Sequence, residues 1–350
     1  MTQAVRFARE GRLGVITLDR PAALNALTHD MVRAMSHELA VWREDPAVAA
    51  VLVRAVGGRA FCAGGDIRAV VERVRHHGIA ATVGFFHDEY RLNWRIARFP
   101  KPYVALIDGL TMGGGVGISV HGRFRVATER TLFAMPETGI GFFPDVGGTW
   151  FLPRCPGETG FHLGLTGARA DGADCLALGL ATHFVLSDGL AALTADLAAG
   201  REPGAALAAH SAPAPPAAIL AQRPLIDACL AKPSLAEVLD ALAAEPSGWG
   251  RERLAELASK SPFALRLTFA QLRRGRDLTS LEDALRLEYR MVHRVLALPD
   301  FAEGVRALIV DKDRQPRWRH KSPGEVDEAA VAACMAPLPQ GDLAFDWGDV

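Results

Sequence analysis

The sequence predicts an α/β fold followed by a helical C-terminal region, and three features carry that expectation. Short apolar, β-branched runs recur up to residue 197, and glycine clusters follow several of them. Segments with apolar residues at helical spacing alternate with those runs, as in α/β sheets whose turns face a ligand. Farther along, the strand signal gives way to almost wholly helical periodicity. A soft boundary near residue 205 therefore divides the chain into 1–205 and 206–350.

Val5–Arg9 and Leu13–Leu18, joined through Glu10-Gly11, predict a hairpin that Asp19-Arg20-Pro21 breaks. Thr28 caps a predicted helix whose Met31, Val32, Met35, Leu39 and Trp42 recur at helical spacing, and Asp45-Pro46 ends it. Ala49–Ala55 reads as a buried strand, followed by Gly57-Gly58. Helices are expected from about Asp66 to His76 and from Thr82 to Ala97, with Pro100 and Pro102 marking the exit. Tyr103–Ile107 is the next strand, a helix starts at about Gly115, and Arg123–Ala127 is a further strand. Ala199–Pro216, with Gly200, Pro203, Gly204, Pro213, Pro215 and Pro216, reads as a linker. Beyond it helices are predicted over 235–244, 249–259, 262–274 and 281–296, and no fixed-period repeat stands out.

The 350 residues are 49% hydrophobic and 23% charged, ordinary for a globular chain long enough to bury a core without staples. Lys+Arg number 39 and Asp+Glu 40, so the basic excess that a nucleic acid or an anionic membrane demands is missing. The five cysteines, Cys62, Cys155, Cys175, Cys229 and Cys334, are scattered without a C-x-x-C pair, which argues against a zinc ribbon or a disulfide framework. No metal site is expected. Met1 to Arg6 runs straight into a strand-like pattern without a leader signature, which gives a cytoplasmic expectation. Tyr103–Val120 approaches spanning length, but Asp108 and five glycines (Gly109, Gly113, Gly114, Gly115, Gly117) make it a poor membrane helix.

Three segments carry candidate chemistry. Phe61-Cys62-Ala63-Gly64-Gly65-Asp66 joins a strand end to a helix start, so the amides of Gly64 and Gly65 can point at an anion; an ordinary turn capped by Asp66 is the alternative. Gly109 to Gly117 lets a ligand approach backbone at Gly113-Gly114-Gly115, or else serves close helix packing; it is neither G-x-G-x-x-G nor a P-loop. Ala134 to Gly148 places Glu137 and Asp145 in a loop dense with Gly, Pro and Phe, where acids among apolar neighbours titrate high. Helix capping is the competing role for each acid. Cys62 has no base nearby in sequence and reads as a small buried residue. Arg68, Arg73 and Arg75, with His76-His77, read as a solvated helix face, phosphate contact by the arginines being the alternative, and neither G-x-S-x-G nor H-E-x-x-H occurs.

Taken with Gly14 to Leu27, the motifs Cys62-Ala63-Gly64-Gly65-Asp66 and Gly113-Gly114-Gly115 occur in the order that the crotonase, or enoyl-CoA hydratase/isomerase, superfamily shows, and the chain resembles that family. The resemblance implies a crotonase-type spiral core of repeated ββα units that binds a CoA thioester. It also implies that the amides of Gly65 and Gly114 polarise the thioester carbonyl, with Gly64 and Gly113 beside them on the substrate. Within the family the chain looks closest to the 3-hydroxyisobutyryl-CoA hydrolases, through Pro136 to Gly148, Phe85 to Asn93 and Gly304 to Trp318. Where hydratases carry their first catalytic glutamate this chain has Gly117, while Glu137 matches their second and Asp145 replaces a usual glycine.

That pattern implies hydrolysis of a short hydroxyacyl-CoA, as in valine breakdown. Glu137 either attacks the carbonyl or activates a water; Asp145 manages the proton or orients Glu137; Glu89 meets the substrate's 3-hydroxyl. CoA enters as part of the substrate and no separate cofactor is expected. Family members often assemble from several copies, so a homo-oligomer is an open expectation. The alternatives are an enoyl-CoA hydratase or isomerase, another acyl group, and a binding protein without turnover.

Overall fold

The computed structural model describes residues 4–348; Met1 to Gln3, part of the segment searched for a leader, lie outside the described residues. The chain opens with the expected hairpin, β1 (Val5–Glu10) and β2 (Leu13–Leu18), paired antiparallel with Val5 opposite Leu18. Thr28 then caps α1 (His29–Glu44), its side chain accepting from the Met31 amide. The spiral follows. Strand β3 (Ala50–Ala55), short strand β4 (Ala60–Cys62) and helix α2 (Ile67–Ala97) make one unit; β5 (Tyr103–Ile107), β6 (Leu110–Met112) and α3 (Gly114–Val120) repeat it. A third pair, β7 (Phe124–Ala127) and β8 (Leu132–Ala134), leads into the acidic loop.

Each unit gives its first strand to one sheet and its second to another. Among the described residues, the larger sheet runs β1-β2-β3-β5-β7-β10, and all its pairs after the hairpin are parallel; β10 is His183–Phe184. The smaller sheet runs β4-β6-β8-β9, where β9 is Ala170–Asp171. The two glycine turns, after β4 and after β6, thus leave adjacent parallel strands at the same end, which places them side by side. Short helices α4 (Gly148–Phe151), α5 (Thr159–Thr166) and α6 (Gly172–Ala177) thread between these strands.

Helix α2 is interrupted at Gly78 (φ 79°, ψ 174°), so the two helices expected over 66–76 and 82–97 follow each other with one broken turn. Its first half is mostly exposed. Its second half is buried, including Phe85, Phe86, Glu89, Tyr90 and Asn93. The linker expected over 199–216 is ordered differently: after α7 (Leu190–Ala198) it holds α8 (Pro203–His210). Pro203 sits in the first turn, where its missing N–H costs nothing, and the Glu202 side chain accepts from the Ala205 amide. Helix α9 (Ala218–Leu230), with Pro224 inside it, was also hidden by the proline-rich stretch before it.

The remaining helices are α10 (Leu235–Ala244), α11 (Trp249–Ala258), α12 (Pro262–Gly275), α13 (Leu281–Val295), α14 (Pro299–Val305) and α15 (Glu328–Met335). A π-helical turn, Arg306–Val310, continues α14. Buried side chains of α12 and α13 join those of the spiral in one apolar cluster, and α13 packs along α2. The C-terminal segment lies on α2 as well: the Phe345 and Trp347 rings pack tilted against Trp94, with centroids 5.7 and 5.6 Å away, and Arg91 pairs with Asp346. All five cysteines are buried and free. No helix among the described residues is long and apolar enough to cross a membrane.

Candidate active site

The two glycine turns meet. A β-carbon added at Gly64 would stand 3.8 Å from the Gly114 nitrogen, and one at Gly114 would stand 3.2 Å from the Gly65 nitrogen. Gly65 lies in the turn before α2, and Gly114 is the first residue of α3, where an amide has no partner inside its own helix. Neither amide donates to another group among the described residues. Two uncommitted N–H groups therefore stand together at the wall of one cavity of about 930 Å³.

Three buried carboxyl groups reach the same cavity, beside the half-buried Asp66, which caps α2 and pairs with Arg20. Glu89 projects from the buried half of α2; a side chain at Gly114 would collide with its Oε1, so only glycine lets these two segments approach. Glu137 opens a single 3₁₀ turn (Glu137–Ile140), and its Oε1 lies 3.1 Å from where a β-carbon of Gly113 would be. Asp145 follows Pro144, and its Oδ2 accepts a 2.8 Å hydrogen bond from the Tyr90 hydroxyl. Apolar walls come from Phe85, Phe86, Phe142 and Ile140, while Arg68, Arg169 and Lys312 stand exposed at the mouth. The sequence-selected residues Gly64, Gly65, Glu89, Gly113, Gly114, Glu137 and Asp145 all line this one cavity.

The acids are buried, at 2% exposure for Glu89, 7% for Glu137 and 5% for Asp145. Burial pushes Glu89 well above the usual carboxylate range, helped by the nearby Asp145 and Glu137. Glu137 is likewise raised well above that range by burial and then by Asp145. Asp145 is pushed up less, to about 7, because the Tyr90 hydroxyl and a backbone donor favour its charged form. One oxygen on each glutamate, Glu89 Oε1 and Glu137 Oε2, is buried without a hydrogen-bond partner. Acid groups left unpartnered in a cavity are placed to hold or exchange a proton with a bound molecule.

Helix capping explains neither loop acid. Glu137 carries no side-chain cap bond, and the helix after Asp145 begins only at Gly148, whose amide bonds the Asp145 carbonyl. Cys62 is fully buried with its thiol toward the Gly64 carbonyl, and burial raises it to about 12, which leaves no thiolate for attack. Among the described residues, no group of three His, Cys, Asp or Glu side chains is placed to hold a metal ion.

Position 117 is closed to a larger side chain. A β-carbon there would fall 2.7 Å from Asn93 Nδ2 and 2.8 Å from Val146 Cβ. Two buried neighbours thus fill the space into which a residue-117 carboxylate would have to project.

Sequence reasoning missed three residues around the acids. Tyr90, fully buried, bonds Asp145. Glu288 on α13 accepts from the amides of Gly147 and Thr149, both at 2.8 Å. Gln271 on α12 donates to the Pro144 carbonyl at 2.6 Å. A signal for Glu288 did exist: it interrupts the apolar stripe of α13 between Leu285 and Val292, where an acid has to find donors.

Known proteins resemble this chain in both sequence and fold. A chain named 3-hydroxyisobutyryl-CoA hydrolase, mitochondrial, from Danio rerio is 44% identical over 349 residues, covering 97% of this chain and 91% of its own length. A crystal structure described as a carnitinyl-CoA dehydratase from Mycobacterium thermoresistibile matches with a TM-score of 0.94 at 44% identity, covering 99% of each chain. Another, described as an enoyl-CoA hydratase from Rhodobacter sphaeroides, matches at 0.93 and 43%, covering 98% of this chain and all of its own. Residues 13–335 match the model of the enoyl-CoA hydratase/isomerase family. With relatives this close over nearly the whole chain, and with paired glycine amides facing buried acids in a ββα spiral, the chain belongs to the enoyl-CoA hydratase/isomerase family.

Proposed function

We propose that the chain hydrolyses a short hydroxyacyl-CoA thioester, 3-hydroxyisobutyryl-CoA, to 3-hydroxyisobutyrate and CoA, a step of valine breakdown. One observation carries the choice of hydrolysis over hydration. Two loop acids, Glu137 and Asp145, share the cavity, while the space a glutamate at 117 would need is filled by Asn93 and Val146. The name of the Danio rerio relative supports the same reaction.

In this reading the thioester oxygen sits between the amides of Gly65 and Gly114, with Gly64 and Gly113 keeping the approach open. Each such donor is worth about 3 kcal/mol as negative charge develops on that oxygen. Glu137 works at the carbonyl carbon, by direct attack or by deprotonating a water. The C–S bond breaks, water supplies the oxygen and proton of the new acid, and Asp145 takes up and returns the proton that ends on the CoA sulfur. Glu89 meets the substrate hydroxyl with its unpartnered Oε1. Arg68, Arg169 and Lys312 at the mouth suit the CoA phosphates. The helical part after residue 205 adds Leu308, Ile309 and Lys312 to the cavity lining. CoA arrives as part of the substrate, no further cofactor or metal is needed, and copies of the chain associate with each other. A cytoplasmic location belongs to the same proposal, although the Danio rerio relative is named as mitochondrial.

The test is free-thiol release from 3-hydroxyisobutyryl-CoA beside crotonyl-CoA hydration on one preparation. Thiol release without hydration is expected. Glu137→Gln should drop thiol release below about a tenth of wild type while the CoA ester still binds. The second reading is hydration or dehydration, favoured by the descriptions of the two close crystal structures; hydration without thiol release would establish it.

A further inference from the structure

Asp145 sits on a backbone that would not hold its shape alone. Val146, the next residue, has φ 50° and Gly147 has φ 90°, two left-handed residues in succession. For a β-branched residue that region is strained, and it persists only where surroundings enforce it. Here they do, from three directions. The half-buried His121 ring donates to the Val146 carbonyl at 2.7 Å, and Gln271 holds Pro144. Glu288 grips the turn itself: Oε2 takes the Gly147 amide and Oε1 the Thr149 amide, each at 2.8 Å. Glu288 is completely buried, no cation pairs with it among its described contacts, and it does not line the cavity; burial pushes its carboxyl up to about 8, while the Gly147 and Thr149 amides favour its charged form. A buried carboxylate without a cation is costly unless its donors need two acceptors at once, and two convergent N–H groups are such donors.

We propose that Glu288 is a positioning residue: its carboxylate locks the Val146-Gly147 turn in the left-handed conformation that presents Asp145 to the cavity. The proposal rests on the catalytic role given above to Asp145. It makes α13, in the helical C-terminal region, part of the working site without touching substrate.

The isosteric change Glu288→Gln is the sharpest probe. Glutamine keeps the volume and one acceptor, but its Nε2 points a donor at an N–H donor. Wild type, E288Q, E288A and the double variant V146G/E288Q are compared for thiol release from 3-hydroxyisobutyryl-CoA, with crotonyl-CoA hydration in parallel. E288Q is expected to lower kcat at least tenfold with KM within threefold. V146G is expected to recover part of that loss, because glycine takes positive φ unaided. A packing role predicts otherwise: E288Q would keep kcat, and the loss in E288A would track Tm alone. Retention of kcat within twofold in E288Q overturns the proposal, as does the absence of any recovery in the double variant. If E288Q does not fold, restored folding in V146G/E288Q supports the turn and continued unfolding overturns it. If wild type hydrates crotonyl-CoA and releases no thiol, the proposed function fails alone, and the same variants are compared on hydration. A crystal structure of E288Q reads the turn without any turnover: Val146 should leave φ near 50°, and retention of that angle counts against the proposal.

Discussion

Asp145→Asn should stabilise the protein while disabling it, and the size of the effect follows from the structure. Burial lifts the Asp145 carboxyl from 3.8 to about 7, so at pH 8 its ionisation works against the fold by about 4 kcal/mol, at 1.36 kcal/mol per tenfold change in proton affinity. Between pH 4 and 7 the folded state binds more protons here than the unfolded state, so this penalty grows as pH rises and is complete above 7. Asparagine carries no such penalty. Its Oδ1 can still accept from Tyr90, while its amide lacks an evident acceptor and gives back about 1–2 kcal/mol. A net gain of about 2–3 kcal/mol at pH 8 corresponds to a Tm rise of about 5 °C in a chain of this length. At pH 5 the advantage should shrink to less than half. Calorimetric melts of wild type and D145N at pH 5 and pH 8, beside thiol-release assays, measure all of this. A Tm for D145N equal to or below wild type at pH 8 would refute the reasoning, because it would mean that Asp145 sits in the fold as a comfortable charge.

Gly114→Ala should cost about a hundredfold in kcat, since the new methyl collides with Glu89 Oε1 and crowds the Gly65 amide; steady-state kinetics check it. Gly117→Glu should not create a hydratase: it must displace Asn93 and Val146 in a closed space, and a loss of about 3 kcal/mol or more in chemical denaturation is expected, with no crotonyl-CoA hydration. The wild-type rate should fall on the acid side as Glu137 and Asp145, both raised by burial, take up protons, and D145N should keep that limb but move it to lower pH, because the Asp145 charge no longer lifts Glu137; a pH–rate profile checks it.

The hairpin, the Thr28-capped helix, the Ala50 strand and the C-terminal helices were legible because each is long enough for its period to repeat. Strands β4, β6, β8 and β9 were not, being two or three residues long and defined by the neighbours they pair with. Helices α8 and α9 were masked by prolines that sit where a helix tolerates them or is bent by them. The glycine turns and the loop acids were readable from residue type and order. What grips them was not: Tyr90, Gln271 and Glu288 act across separations of 55, 127 and 141 residues. Such distances carry no periodic signal, and only an acid on the apolar stripe of α13 hinted at one of them.

Those separations also set an order in time. A chain emerging from the ribosome presents Gly64, Gly113, Glu137 and Asp145 long before Gln271 and Glu288 exist. Until they arrive, His121 alone of the three restraints is there to hold Val146 left-handed, and the acids that repel one another can still splay into water. Site completion is therefore a late event in biogenesis, and a nascent chain stalled before α13 would carry the reactive loop without the clamp that gives it its shape.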